Sequence, residues 1–108
     1  MLLFKPEHVE LILSGQKTQT RRLWPHGCRV KVGNVYQCRT RMMDKASTFA
    51  RIRVKRIWRE QLGEIQELNA HEEGYPSRAA YIEAFRRING HAALDTVVWA
   101  VEFEIEAT

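Results

Sequence analysis

Towards its C-terminal side the sequence reads Thr96-Val97-Val98-Trp99-Ala100-Val101-Glu102-Phe103-Glu104-Ile105, and this stretch decides the fold. Large apolar side chains alternate there with smaller or acidic ones, at the period of two that a β-strand requires. One predicted face carries Val97, Trp99, Val101, Phe103 and Ile105, and the other carries Val98, Ala100, Glu102 and Glu104. So regular a strand predicts that a β-sheet forms the centre of the fold.

Two further strands precede it. The segment 49–57 places Ala50, Ile52 and Val54 on one face and Arg51, Arg53 and Lys55 on the other, which predicts one core face and one basic solvent face. The segment 35–40 follows a turn at Val32-Gly33-Asn34 and is also a predicted strand.

Three helices are expected between the strands. The first covers residues 6–14, with a proline in its first turn and Gly15 as its stop. The second covers 64–73 and ends at Gly74, and the third begins at the N-cap Ser77 and runs to about Asn89. The apolar stripe predicted for the third helix is Ala80, Tyr81, Ala84, Phe85 and Ile88. Short strands with interrupting helices and no βαβ rhythm predict an α+β fold, and a small barrel with helices at its rim fits this pattern.

A length of 108 residues is enough for one core, so we expect a single domain over residues 1–108. No apolar run approaches the roughly 20 residues that span a bilayer, and the first residues do not resemble a signal peptide, so we expect no membrane partner and a cytoplasmic protein. Cys28 and Cys38 are expected as reduced thiols, since two cysteines make no disulfide scaffold. A zinc site with His26 and a second histidine is disfavoured because the chain lacks a tight Cys-x-x-Cys or His-x-x-x-His pair.

The charges are divided unevenly along the chain, although the net charge is only +4. Residues 1–59 hold five Lys and nine Arg against three acids, whereas residues 60–108 hold three Arg against ten acids. This asymmetry suggests an anionic partner for the first half, such as RNA or a nucleotide. The alternative is that the two halves interleave and that their charges pair internally.

The segment Gly15-Gln16-Lys17-Thr18-Gln19-Thr20-Arg21-Arg22 contains the parts of a hydroxyl nucleophile with a lysine base. A hydroxyl needs a base beside it, and a lysine can serve only if burial and nearby cations lower its pKa. A bend after the first helix would bring Lys17 and Thr20 together, with Arg21 and Arg22 as the cations. From residue types alone, a basic strand end that contacts phosphates or solvent is the simpler interpretation.

A second candidate segment is Ala70-His71-Glu72-Glu73-Gly74. Adjacent carboxylates at a helix C-terminus oppose the helix dipole, so they are placed there either for use or to pair with an arginine. Solvated acids are the simpler interpretation here too.

Four motifs in order resemble the ASCH domain, a family of the PUA-like superfamily. They are Gly15-x-Lys17-Thr18-x-Thr20-x-Arg22, then Val32-Gly33-Asn34, then Ala70-x-x-Glu73-Gly74-Tyr75, and finally Val98-Trp99-Ala100-Val101-Glu102-Phe103. The resemblance runs from about residue 4 to residue 105. It implies a small PUA-like β-barrel flanked by short helices, with a cleft at the first motif and RNA or a modified nucleoside as ligand.

Small bacterial members of this family are similar to N4-acetylcytidine amidohydrolases, which remove an acyl group from the exocyclic N4 of a cytidine-type nucleoside. The resemblance implies the catalytic set Lys17, Thr20 and Glu73. Thr20 would be the nucleophile or would position the attacking water, Lys17 would be the base, and Glu73 would orient Lys17 or pass a proton to the leaving amine.

The substrate would be bound by Thr18, Arg21, Arg22, Tyr75 and Trp24. Arg22 and backbone N–H groups would stabilise the oxyanion, and Tyr75 or Trp24 would stack on the base unless it is needed for packing. No metal or organic cofactor is implied, and we expect a monomer or a weak dimer.

The chain departs from the family pattern at three places. Asn34 replaces the usual aspartate, residues 24–30 form a longer loop, and Arg21 adds a second consecutive arginine. The extra arginine leaves open a shift towards phosphate-bearing substrates. Two alternatives use the same basic cleft. One is an RNA-binding module in which Arg51, Arg53 and Lys55, with Arg39 and Arg41, track phosphates, and the other is a ribonuclease with Lys17 and Glu73 as acid and base.

Overall fold

The fold is built around one mixed sheet, seen in a computed structural model that describes residues 1–106. Its strands are β1 (Leu2–Leu3), β2 (Gln19–Arg22), β3 (Val35–Arg39), β4 (Thr48–Gln61) and β5 (Val97–Ile105), in the spatial order β1-β3-β4-β5-β2. The pairs β3–β4, β4–β5 and β5–β2 are antiparallel, whereas β1 runs parallel to β3. The alternating sequence of β5 therefore lies near the middle of the sheet, as its regularity predicts.

The sheet is curled into a half-barrel, so that its two edge strands, β1 and β2, approach each other. Across the gap between them the Arg22 guanidinium of β2 donates from Nη2 to the Leu3 carbonyl of β1 at 2.7 Å. One side chain thus bridges the open seam where a closed barrel would have a ladder of backbone hydrogen bonds. The prediction of an α+β fold with a small barrel flanked by short helices is confirmed, although the barrel is open at this seam.

The concave side of the sheet encloses the first hydrophobic cluster. Ile52 and Val54 from β4 meet Val101 and Phe103 from β5 there, all at most 2% exposed. Cys38 of β3 lies in the same cluster and burial raises its thiol pKa to about 12. This packing fixes the register of the central strands, because a slip by one residue would turn these side chains outward.

Short helices pack on both sides of the sheet, since Ile12 of the first helix lies in the first cluster and the other two helices cover the opposite side. They are α1 (Val9–Leu13), α2 (Glu67–Glu72) and α3 (Arg78–Asn89), with turns of 3-10 helix at Pro6–His8, Lys45–Ser47 and Leu62–Glu64. The second hydrophobic cluster lies under α2 and α3 and includes Leu62, Ile65, Ala70, Tyr81, Ile82, Phe85 and Val98. As predicted, Ser77 caps α3, because its hydroxyl accepts from the Ala80 N–H at 3.1 Å.

The prediction of a single second helix over residues 64–73 was wrong. Ile65 is instead extended and packs into the second cluster, which separates the 3-10 turn from α2. Two consecutive capping boxes account for the break, with Gln61 paired to Glu64 and Gln66 paired to Asn69. The first predicted helix is continuous, as a 3-10 turn followed directly by α1.

The two predicted faces of β5 are confirmed, and both are buried in the middle of the strand. Val98 and Ala100 are fully buried although they lie opposite Val101 and Phe103, because helices cover that face of the strand. Val97 and Ile105 are exposed at the strand ends. In α3, Ile88 is exposed and Ile82 is buried in its place, so the core stripe is rotated towards the sheet.

Over residues 1–106, none of the helices has the length and apolar character needed to cross a bilayer. The same residues contain no group of three or more His, Cys, Asp and Glu side chains placed to hold a metal ion.

Candidate active site

A cavity of about 520 Å³ opens beside the free edge of β2. Because β2 is an edge strand, side chains from both of its faces reach this space. Seven of the eight predicted site residues line it, namely Lys17, Thr20, Arg21, Arg22, Trp24, Glu73 and Tyr75. A larger groove of about 770 Å³ runs along α3 and contains none of them. The structure thus brings the first and third sequence motifs together at one cavity.

Backbone hydrogen bonds before and after Lys17 fix its position at the cavity. Gly15 has φ of +82°, which turns the chain out of α1, and the Lys17 N–H donates to the Leu11 carbonyl at 2.9 Å. Thr18 then anchors the segment, since its N–H donates to the Glu72 carbonyl at 2.7 Å and its carbonyl accepts from the Phe103 N–H at 2.9 Å. These contacts fix where the Lys17 side chain begins.

The Lys17 ammonium is 2% exposed and has three acceptors. It donates to Glu73 Oε1 at 3.0 Å, to the Glu73 carbonyl at 2.7 Å and to the Gln19 carbonyl at 3.0 Å. Burial lowers the pKa of Lys17, the Glu73 carboxylate opposes that change, and the neighbouring Arg22 and Arg21 add to it. The Lys17 amine is therefore fully hydrogen-bonded, in surroundings that lower its pKa.

Glu73 lies between two buried cations. Its Oε1 accepts from Lys17, and its Oε2 accepts from Arg21 Nη1 at 2.9 Å. Arg21 also donates from Nε to Glu60 Oε1 at 2.6 Å and from Nη1 to Gln19 Oε1 at 3.0 Å. Burial disfavours the charged guanidinium, but the two carboxylates outweigh it and the pKa of Arg21 is raised. Arg21, a predicted substrate-binding residue, is thus engaged in protein ion pairs, with Nη2 as its one buried donor lacking a partner in the described chain.

Thr20 and Arg22 form a second pair on the other face of β2. Arg22 Nε donates to Thr20 Oγ1 at 2.9 Å, and the guanidinium lies over the Phe4 ring, 4.9 Å from its centroid. Burial lowers the pKa of Arg22. Throughout residues 1–106, Thr20 has no hydrogen bond to Lys17, so the direct Lys–Thr contact expected from the sequence is not formed at rest.

Aromatic side chains form one wall of the cavity. Tyr75 is half-buried and packs edge-on against Tyr81, with ring centroids 5.3 Å apart, and against His8 at 5.5 Å. Trp24 is nearly buried and belongs to the first hydrophobic cluster, so it contributes mainly to packing. Tyr75 is the ring better placed to meet a planar ligand.

Thr18 is the predicted site residue that lies elsewhere. It borders a separate cleft of about 530 Å³, lined also by Gly15, Glu72 and Glu102. In the second candidate segment Glu72 accepts from Gln19 Nε2 at 3.4 Å, and only Glu73 lines the cavity.

Several lining residues carry no sequence signal by themselves. His8, Arg29 and Tyr81 reach the cavity from the turn before α1, from the loop of residues 24–30 and from α3. Burial, and then Lys17, lowers the pKa of His8 to about 4, so its ring is neutral at pH 7. The stripe of α3 indicated that Tyr81 is buried, but nothing indicated that it borders the site.

The predicted basic face of β4 is partly neutralised by glutamates on β5 and directly after it, although Arg51 has no carboxylate partner among the described residues. Arg53 pairs with Glu106 at 2.7 Å, Lys55 with Glu104 at 3.8 Å, and Arg56 with Glu102 at 2.7 Å. In the loop after β3, Arg41 pairs with Asp44 at 2.6 Å. Much of the charge asymmetry between the two halves is therefore internal pairing.

Comparison with known proteins establishes the fold. No protein-family model and no curated protein matches the sequence. An ASCH domain structure from Lactobacillus crispatus matches with a TM-score of 0.74 at 19% identity, over 90% of this chain and 69% of that chain. A protein of Enterococcus faecalis matches with a TM-score of 0.69 at 18% identity, over 93% and 67%, and an ASCH structure from Zymomonas mobilis with 0.66 at 15%, over 96% and 67%. The chain has the ASCH, PUA-like fold that its motifs predict.

Proposed function

We propose that this protein is a C–N hydrolase that removes an acyl group from the exocyclic N4 of a cytidine-type nucleoside. The observation that carries the proposal is the buried Lys17–Glu73 pair, which lines one cavity of about 520 Å³ together with Thr20. Cavities of this size suit small ligands such as a nucleoside. The proposed catalytic set is Lys17, Thr20 and Glu73, with no metal or organic cofactor.

The placement of the ionic network supports a functional role. Burying charged groups costs several kcal/mol per ion unless the geometry compensates, and an apolar core would need no such compensation. Lys17, Arg21 and Glu73 are all at most 5% exposed and meet beside a cavity. Charged groups with perturbed pKa values that border a cleft are typical of active sites.

In the proposed reaction Thr20 Oγ1 attacks the amide carbon of the acyl group. Its proton passes to Lys17, directly or through one water, after Lys17 has given a proton to Glu73 Oε1, 3.0 Å away. The hydrogen bond from Arg22 Nε to Thr20 Oγ1 favours the developing alkoxide. The C–N bond then breaks, the N4 amine leaves with a proton from Lys17, and water hydrolyses the resulting ester of Thr20.

The RNA-binding alternative has less support from the contacts. It needs free cations in the predicted set, where Arg41, Arg53 and Lys55 have carboxylate partners and only Arg39 and Arg51 have none among the described residues. The ribonuclease alternative uses the same Lys17–Glu73 pair. Only the substrate that is cleaved, RNA or an acylated nucleoside, distinguishes it from the proposed hydrolase.

The test follows N4-acetylcytidine hydrolysis by ultraviolet absorbance. Lys17→Met and Thr20→Val are expected to lower kcat by about 10²–10⁴-fold, the range typical of a lost acid–base group. Thr20→Ser keeps the hydroxyl and should retain activity. Lys45→Met removes an exposed lysine outside the cavity and should equal the wild type.

Circular dichroism would confirm that each variant is folded. A folded Lys17→Met protein with full activity would refute the catalytic assignment. Cleavage of single-stranded RNA by the wild type, lost in Lys17→Met and without hydrolysis of N4-acetylcytidine, would favour the ribonuclease.

A further inference from the structure

Three cations without a carboxylate partner line the cavity. They are Lys5, Arg22 and Arg29, and within residues 1–106 no carboxylate oxygen lies within 4.0 Å of their charged nitrogens. Other cations without such a partner, among them Arg51 and Arg59 of β4, lie outside the cavity. The three cavity cations differ from these because they come from separate segments of the chain and face one enclosed space.

Arg22 is the cation of this group that lies in the cavity wall, and it is half-buried. Its hydrogen bonds go to Thr20 Oγ1 and to the Leu3 carbonyl, which are both neutral acceptors. A buried cation without a counter-ion is costly, and burial correspondingly lowers the pKa of Arg22. An anionic ligand in the cavity would remove this penalty.

Lys5 and Arg29 place the rest of the charge at the rim. Lys5 follows Phe4 and precedes the 3-10 turn, whereas Arg29 belongs to the loop of residues 24–30, and both side chains are exposed. They reach the cavity from different segments of the chain, with Arg22 in the wall. A permanent anion at the mouth would meet the two rim cations, while Arg22 and Thr20 meet the reacting acyl group below it.

We propose that the substrate carries a phosphate, so that the cavity binds a cytidine 5′-monophosphate unit, with the phosphate between Lys5 and Arg29. The identity of the base rests on the proposed function, whereas the phosphate site rests on the unpaired cations. Phosphate suits this site because guanidinium and ammonium groups donate charge-assisted hydrogen bonds to its oxygens. Lys5 and Arg29 are specificity-determining residues in this arrangement and take no part in bond breaking.

The test is a calorimetric comparison of cytidine 5′-monophosphate with cytidine. The wild type should bind the monophosphate about tenfold more tightly at low salt, and the difference should shrink as salt screens the charges. The double variant Lys5→Gln/Arg29→Gln should lose most of this preference and bind cytidine as before. The matched control, Lys45→Gln/Arg51→Gln, removes the same two charges from exposed positions outside the cavity and should keep the preference.

The proposal fails if cytidine and its monophosphate bind equally, if neither binds, or if the preference survives in Lys5→Gln/Arg29→Gln. It also fails if the control variant loses the preference equally, since net charge alone would then explain it. Tighter binding of a short cytidine-containing oligoribonucleotide would overturn the assignment of a mononucleotide. Hydrolysis of N4-acetylcytidine, measured on the same preparation, tests the proposed function separately. A preference for the monophosphate without hydrolysis would support the phosphate site and contradict the proposed reaction.

Discussion

Among single residues, Glu73 has the largest expected effect on the site, because its carboxylate stabilises two buried cations. Its two oxygens accept from Lys17 at 3.0 Å and from Arg21 at 2.9 Å. A neutral side chain of the same shape would leave both cations near each other with a single remaining carboxylate, Glu60, bound to Arg21. Folding and the proposed chemistry therefore depend on the same carboxylate.

Glu73→Gln is expected to lower the free energy of unfolding by about 3–5 kcal/mol, the range found when one partner of a buried ion pair is removed. The matched control is Glu72→Gln, because Glu72 is half-buried and accepts only long hydrogen bonds, from Gln19 at 3.4 Å and Asn69 at 3.5 Å. It should change stability by less than about 1 kcal/mol. Urea denaturation measures both, and equal effects would contradict the bridging role of Glu73.

His8 makes stability depend on pH in a defined window. Its pKa is about 4 in the folded chain against 6.5 as its ordinary value, because of burial and of Lys17 and Lys5, partly opposed by Glu73 and Glu7. Between these values the unfolded chain binds the proton and the folded chain does not, so stability falls as pH falls from about 6.5 to 4. His8→Gln should weaken this fall in urea midpoints between pH 7 and pH 5, and the exposed control His91→Gln should not. The same pH dependence of stability in the wild type and in His8→Gln would refute this role of His8.

Much of the candidate site could be predicted from short-range motifs, because Lys17, Thr20 and Arg22 lie within one short segment and Glu73 directly follows one helix. Their common cavity depends on long-range packing that no local pattern encodes. Glu60 illustrates the limit, since it reaches Arg21 only because β4 continues far beyond its regular alternation. The roles of His8 and Arg29 at the cavity were hidden for the same reason.

At the scale of elements, β4 shows where periodicity fails. Its alternation predicted an end at Ile57, but the strand continues to Gln61. The register shifts between Val54 and Arg56, so Lys55 is an extra residue that moves the later side chains to opposite faces. Elements without such an irregularity, such as α3 and β5, have predicted bounds within about one residue of the observed ones.

Gly74 connects α2 to the site and tolerates no side chain without strain. Its φ is +98°, and an added Cβ would approach Leu11 Cδ1 to 2.8 Å and Lys17 Cδ to 3.7 Å. Gly74→Ala is expected to cost about 1–3 kcal/mol, because the backbone is strained and the Leu11 side chain must shift. Gly15→Ala is the control, since φ there is +82° but nothing lies within 4 Å of the added atom. Thermal unfolding separates backbone strain from steric contact, and equal losses in both variants would exclude the contact.

At the scale of the whole molecule, one strand connects the two hydrophobic clusters. β4 places Ile52 in the first cluster, and Leu62, directly after its last residue, lies in the second. Val98 and Val101 make a similar connection through the two faces of β5. The clusters are therefore expected to unfold together.

Ile52→Ala and Leu62→Ala remove fully buried side chains, one from each cluster. Each should lower the free energy of unfolding by about 2–5 kcal/mol, and both should preserve a single transition. Fluorescence and far-ultraviolet circular dichroism, followed during the same urea titration, provide the check. Transitions that separate in either variant would show that the clusters are independent.

The hydrogen bond from Arg22 to the Leu3 carbonyl joins the two edge strands of the half-barrel, where no backbone hydrogen bonds between β1 and β2 are described. Strand β1 pairs with β3 through only two residues, so its backbone amides should exchange early with deuterated solvent compared with those of the central strands. The same arginine contacts Thr20 inside the cavity. A ligand that binds Arg22 would stabilise this contact between the edge strands, and hydrogen exchange in β1 and β2 would slow as the cavity fills. The exchange rate of the two edge strands would therefore report whether the cavity is occupied.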